Sequence, residues 1–164
     1  MLRPRPGLAH LLIVTVRLPA PTTSPLIIEY RPMEAADLPA ALALWAESEG
    51  VEISAGDSPE ELRRYLAMNA GLSQIALAAG QLIGAVLVGQ DGRRGYLYHL
   101  AVASRHRSAR VGSQLVARSL DALRRHGIKR TLILVERENA GGASFWVRQG
   151  WERLEAADAM GIDL

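Results

Sequence analysis

The sequence contains no cysteine. That excludes disulfide frameworks, thiolate metal sites and a cysteine nucleophile together, and it fits a reducing compartment such as the cytoplasm. Net charge is also scarce. The formal value is +2, and Arg3, Arg5 and Arg17 stand in residues 1–25 without an acid, so the body, with 16 basic and 17 acidic residues, is close to neutral. A nucleic-acid binder working through a broad basic surface is thereby disfavoured. No apolar run approaches the roughly 20 residues of a membrane span. No Gly-x-Ser-x-Gly elbow, His-Glu-x-x-His helix or carboxylate cluster with ligand spacing occurs, which leaves hydrolase, nuclease and metalloenzyme readings little support. Lys129 is the only lysine; with the many alanines this points to a GC-rich genome and not to a function.

What is present suits one globular domain: 164 residues, 49% hydrophobic and 22% charged. Residues 1–25 differ from the rest. Five prolines crowd them around the run Leu11–Val16, which is too short for a convincing signal peptide before Arg17 interrupts it. They read as an extension, either flexible or supplying an edge strand through the β-branched Leu11–Val16. Residues 26–164 read as a single domain.

In that domain Leu26–Arg31 predicts a strand, and Leu38, Leu42 and Trp45 recur at helical spacing. A second helix is marked by Ser58, Pro59 and Glu61, a capping box with proline at the first helical position. Glycine-punctuated apolar runs at Gln74–Ala79, Leu82–Gly89 and Tyr96–Val102 predict an antiparallel meander. A helix from Val111 to about Gly127, a strand over Arg130–Val135, a short helix over Ala143–Gln149 and closing strands at Trp151–Leu154 and Met160–Leu164 complete the reading. The expected class is α/β (α+β): a mixed, mostly antiparallel sheet of six to seven strands with helices on both faces.

The turn Ser104–Arg110 joins a strand to a helix and carries Arg105, Arg107 and Arg110. A helix start presents unsatisfied N–H groups and a positive dipole end, an anion site that nearby arginines strengthen. Solvated surface arginines are the plainer explanation of the same residues. The segment nonetheless resembles the pyrophosphate loop of the Gcn5-related N-acetyltransferase (GNAT) superfamily: Arg or Gln, two residues, Gly, one residue, then Gly or Ala. Here Arg107, Arg110 and Gly112 occupy those positions, with Arg110 replacing the first glycine. Downstream, Asn139, Phe145, Trp146, Gly150 and Trp151 fall in register with a second motif of that superfamily. Finding both in order is far more specific than either alone.

The resemblance implies the GNAT acyl-CoA acyltransferase fold, acetyl-CoA as cofactor, and transfer of an acetyl group to a primary amine by direct attack in a ternary complex. It implies that the fourth and fifth strands splay apart around the pantetheine arm. Leu100, Ala101 and Val102 would then lie beside the arm, with Arg107, Ser108, Ala109, Arg110, Val111, Gly112 and Ser113 around the pyrophosphate. Asn139, Phe145 and Trp146 would flank the cofactor, and a backbone donor near Val102 would face the developing oxyanion. The superfamily often reprotonates the leaving thiolate with a tyrosine where this chain has Trp146, whose indole supplies no acidic proton. Tyr98, His99 and Glu136 are the candidates for acid and base. Tyr98 and His99 adjoin in one strand, so only one of them points into the cleft unless a bulge intervenes. A structural role for His99 and a solvated strand end for Glu136 are the competing readings. Glu49, Glu52 and Asp57 could receive a cationic amine, a small molecule or peptide. The resemblance also brings dimerisation as a family expectation. A weakly catalytic or regulatory acyl-CoA-binding module is the alternative function, favoured by Trp146 and Arg110.

Overall fold

A computed structural model describes residues 26–162. The run Leu11–Val16 and the last two residues of the expected Met160–Leu164 strand lie outside them. The glycine-punctuated apolar runs form the expected meander, β2 (Gln74–Ala78), β3 (Gln81–Gln90) and β4 (Gly95–Val102). To it β1 (Ile28–Pro32) adds antiparallel on β2, and β5 (Thr131–Ile133) adds parallel on β4, giving the order β1-β2-β3-β4-β5. A parallel neighbour requires a crossover, and α3 (Val111–Arg125) supplies it.

The two faces of the sheet carry separate apolar clusters. On one, Ile75, Ala85, Leu87 and Ala101 pack against Leu38, Ala41 and Trp45 of α1 (Leu38–Ala46) and Leu62 and Leu66 of α2 (Pro59–Met68). On the other, Ile83, Val86, Val88 and Leu97 meet Val111, Leu115, Val116 and Leu123 of α3. Helices therefore cover both faces. Gly84 lets α3 settle: a Cβ there would lie 3.0 Å from both Leu115 Cδ1 and Val111 Cγ1.

Five strands are formed by the described residues instead of six to seven. Of the two expected closing strands, Trp151–Leu154 forms no ladder and neither do residues 160–162. Their connection, Glu155-Ala156-Ala157-Asp158-Ala159, consists of residues depleted in strands, and β5 itself pairs over only three residues. The last helix, α4 (Ala140–Arg148), starts three residues earlier than the apolar pattern suggested, across Gly141 and Gly142. Asn139 explains the difference, because its Oδ1 accepts the Gly142 N–H at 2.7 Å and caps the helix.

Candidate active site

The site begins where a ladder stops. β4 pairs with β5 at Gly95–Thr131, Tyr96–Leu132 and Leu97–Ile133 and nowhere beyond, while β4 runs on to Val102 along β3. From Tyr98 onward the outer edge of β4 has no strand partner among the described residues.

A bulge falls at that point. Opposite Leu87 stands Tyr98, and opposite Ala85 stands Ala101, so two residues of β4 face one of β3. His99 is the extra residue, with φ at +51°. Leu100 returns to the α3 side, whereas Ala101 rejoins the α1 and α2 side. The bulge thus removes the choice posed by strict alternation: the His99 ring lies 5.1 Å from that of Trp45 in α1 and 6.5 Å from that of Tyr98. Tyr98 in turn stacks on Tyr96 at 6.2 Å. Burial, and then the neighbouring Tyr96, hold the Tyr98 phenol above its ordinary range, so it stays protonated. Burial does the same to Tyr65 of α2, whose ring packs over Gly89.

His99 Nε2 lies 2.8 Å from Asp57 Oδ1, with both side chains mostly buried. Asp57 belongs to the loop between α1 and α2, directly before the capping box in which Ser58 Oγ accepts the Glu61 N–H and Glu61 accepts the Ser58 N–H. Of the three loop acids singled out as amine receptors, Asp57 is engaged with His99, while Glu49 and Glu52 are exposed.

On the other side of the sheet lies the basic turn. Ser108 and Arg110 both have positive φ, +70° and +60°, and Arg110 is the N-cap of α3 without a side-chain cap bond. The residue in the first motif-glycine position therefore adopts the left-handed conformation that glycine favours. No backbone or side-chain acceptor among the described residues takes the N–H of Val111, Gly112 or Ser113. The terminus is open. Arg107 reaches back, its Nε donating to Val102 O at 3.4 Å, and the exposed Arg105 bonds Gln81 and His106.

Residues 38–151 match the acetyltransferase (GNAT) family. The chain belongs to that family. GNAT chemistry is acyl-CoA-dependent acetyl transfer, and the acyl donor is acetyl-CoA. An acetyltransferase of Photorhabdus laumondii is 26% identical over 113 residues, 68% of this chain and 78% of that protein. N-alpha-acetyltransferase 30 of Schizosaccharomyces pombe is 31% identical over 88 residues, 51% of this chain and 59% of that one. In fold, the chain is similar to a PaiA N-acetyltransferase of Thermoplasma acidophilum in complex with coenzyme A. The TM-score is 0.71 at 21% identity, covering 81% of this chain and 94% of the other.

Around this GNAT core the remaining predicted residues separate into two groups. A Cβ on Gly112 would lie 3.5 Å from Phe145 Cζ, and Gln149 Nε2 donates to Ser113 Oγ at 3.0 Å, so α4 and its C-cap flank the start of α3. Trp146 lies edge-on between Phe145 and Trp151, each at 5.1 Å, and packs on the α3 cluster. Asn139 caps α4, and its amide fills the space that a Cβ on Gly50, in the loop between α1 and α2, would need. Glu136 is exposed, three residues past the end of β5, because that strand closes at Ile133 and not at Val135. No group of three or more metal-ligating side chains occurs among the described residues, and no helix there is long and apolar enough to cross a membrane. Sequence reasoning took Trp45 for core packing alone and missed the pairing of Asp57 with His99. Only the position of Asp57 beside a strong capping signal hinted that it would be rigidly held.

Proposed function

We propose that this GNAT protein transfers an acetyl group from acetyl-CoA to the primary amine of a small molecule or peptide, by direct attack in a ternary complex. The observation that carries the reading is the parting of β4 from β5 after Leu97, at the bulge where Tyr98 and His99 share one face. Backbone N–H and C=O groups need partners, and the free edge of β4 from Leu100 to Val102 offers them to the pantetheine amides. At one end of that edge the open N–H groups of Val111, Gly112 and Ser113 hold the pyrophosphate. Ser108 and Ala109 shape the turn, and Arg107 and Arg110 add charge. Asn139, Phe145 and Trp146 flank the cofactor from α4. The donor set fits the cofactor, with one cost: Arg110 puts a Cβ where the family pattern has none.

Bound acetyl-CoA supplies an activated thioester carbonyl. His99 takes the proton that the amine gives up as its nitrogen bonds to that carbon. The Tyr98 hydroxyl supplies a proton to the departing sulfur, since the indole of Trp146 has none to give. A backbone donor near Val102 faces the carbonyl oxygen. Glu136, exposed beyond β5, has no part in this proton transfer. In this proposal residues 26–164 act as one domain.

The test is calorimetry with acetyl-CoA followed by thiol release over a panel of amines: a polyamine, an aminoglycoside, amino acids and short peptides. Binding and turnover are expected, with His99→Gln and Tyr98→Phe lowering kcat and Glu136→Gln leaving it unchanged. Binding without turnover on any amine would favour the acyl-CoA-binding module, a reading to which the packing of Trp146 against Trp151 lends itself. No binding would defeat both.

A further inference from the structure

Asp57 and His99 are 42 residues apart in sequence and 2.8 Å apart in space. We propose that Asp57 is the positioning residue of His99: its carboxylate fixes the Nε2–H tautomer and leaves Nδ1 bare to receive the proton of the attacking amine. The inference rests on His99 being the base.

An ionised carboxylate only accepts hydrogen bonds, so the neutral imidazole beside it must carry its proton on the nitrogen facing it, Nε2. The lone pair then resides on Nδ1, for which no partner occurs among the described residues. The carboxylate is itself held in place. Its Oδ2 accepts the Ser54 N–H at 3.0 Å, the Asp57 N–H donates to Ser54 O at 3.2 Å, and the capping box of α2 begins at the next residue. Exposure is low on both sides of the pair, 11% for the Asp57 side chain and 14% for that of His99. The imidazole is walled by Trp45 at 5.1 Å and Tyr98 at 6.5 Å. Its backbone sits at φ +51°, a conformation costly for a residue with a side chain and kept here by the bulge. Trp45, the neighbour of the imidazole, is fully buried and its Nε1 has no hydrogen-bond partner among the described residues. A simple tether between loop and sheet needs the ion pair but not the open Nδ1, the left-handed backbone or the spare indole donor. The acid, the base and the wall thus come from three elements, the loop between α1 and α2, β4 and α1.

The test uses the full 15N-labelled chain and the variants Asp57→Asn, Asp57→Glu, Asp57→Ala and His99→Gln. Ring 15N shifts of His99, assigned by their loss in His99→Gln, are read at a pH where the imidazoles are neutral. The parent should show protonated Nε2 and bare Nδ1. Asp57→Asn, whose amide can donate to Nε2, should invert or mix the tautomers, and Asp57→Glu should restore the parent pattern at least in part. On the best amine of the panel, Asp57→Asn and Asp57→Ala should lower kcat by on the order of 10²-fold with the KM for acetyl-CoA unchanged, and Asp57→Glu should recover part of it. An unchanged tautomer in Asp57→Asn overturns the proposal, as does a kcat that stays at the parent value while the melting temperature falls, which is the signature of a tether. If His99→Gln also keeps full kcat while acetyl-CoA binds, the assignment of the base falls and this inference with it. If His99→Gln abolishes turnover and Asp57→Asn does not, only the inference falls.

Discussion

Arg110 stands at φ +60°, ψ +16° as the N-cap of α3, in the motif position where a glycine is expected. The left-handed region costs an L-residue about 1–2 kcal/mol, because Cβ crowds the following carbonyl. Glycine escapes that cost but loses more conformational freedom on folding, by about 0.5–1 kcal/mol. Arg110→Gly should therefore exceed Arg110→Ala in stability by about 1 kcal/mol. Both substitutions also remove a positive charge from the positive end of a helix dipole, worth about 0.3–1 kcal/mol to either. The gap between Gly and Ala isolates the backbone term, and the gap between Ala and the parent isolates the charge. Urea unfolding measures both: with an m-value of about 1–3 kcal/mol/M, the Gly midpoint should lie above the Ala midpoint by roughly 0.5 M at unchanged m. Equal midpoints, or a Gly variant less stable than the Ala variant, would refute the reasoning about the turn.

Four further outcomes are expected. Ser58→Ala removes the cap of α2 and should cost about 1 kcal/mol in the same unfolding assay. Leu115→Ala opens a cavity under α3 and should cost about 2–5 kcal/mol. The two-pronged bond from Arg31, at 2.7 and 2.8 Å, holds the Asp37 carboxyl below the ordinary carboxylate range, helped by the Glu34 N–H. A depressed folded value means stability present above the unfolded value and lost as pH falls through the folded one. Asp37→Asn should accordingly be less stable than the parent at neutral pH, by about 1 kcal/mol, and the two should converge below the carboxylate range. Arg107→Ala should weaken coenzyme A binding roughly fivefold by calorimetry, a difference that shrinks at high salt.

The parts of the fold legible in the sequence were those with a local chemical cause. Ser58, Pro59 and Glu61 announced the start of α2, and glycine-bounded apolar runs announced β2, β3 and β4. The helix carrying the open terminus was equally plain, since Val111, Leu115 and Leu123 lie on one face. The bulge was not legible. One extra residue at His99 changes no composition, yet it turns the following residues to the opposite face and brings Tyr98 and His99 together. The Asp57–His99 pair was hidden for a different reason, because its contact is closed by tertiary packing across 42 residues and leaves no local pattern. The C-terminal strands were over-read from Trp151 and Leu154: Trp151 packs edge-on against Trp146 of α4, Leu154 is exposed, and neither enters a ladder. Arg110 shows the converse case, a departure in the motif that the backbone absorbs by keeping the glycine-like conformation.

The central claim is that free amide hydrogens at the start of α3 grip the cofactor's diphosphate. The most direct measurement is a titration of the 15N-labelled protein with acetyl-CoA, followed through its amide spectrum. The account predicts saturable shifts centred on Val111, Gly112 and Ser113, with smaller ones along Leu100–Val102. Saturating acetyl-CoA that leaves the first turn of α3 unmoved, or moves another surface instead, would contradict it.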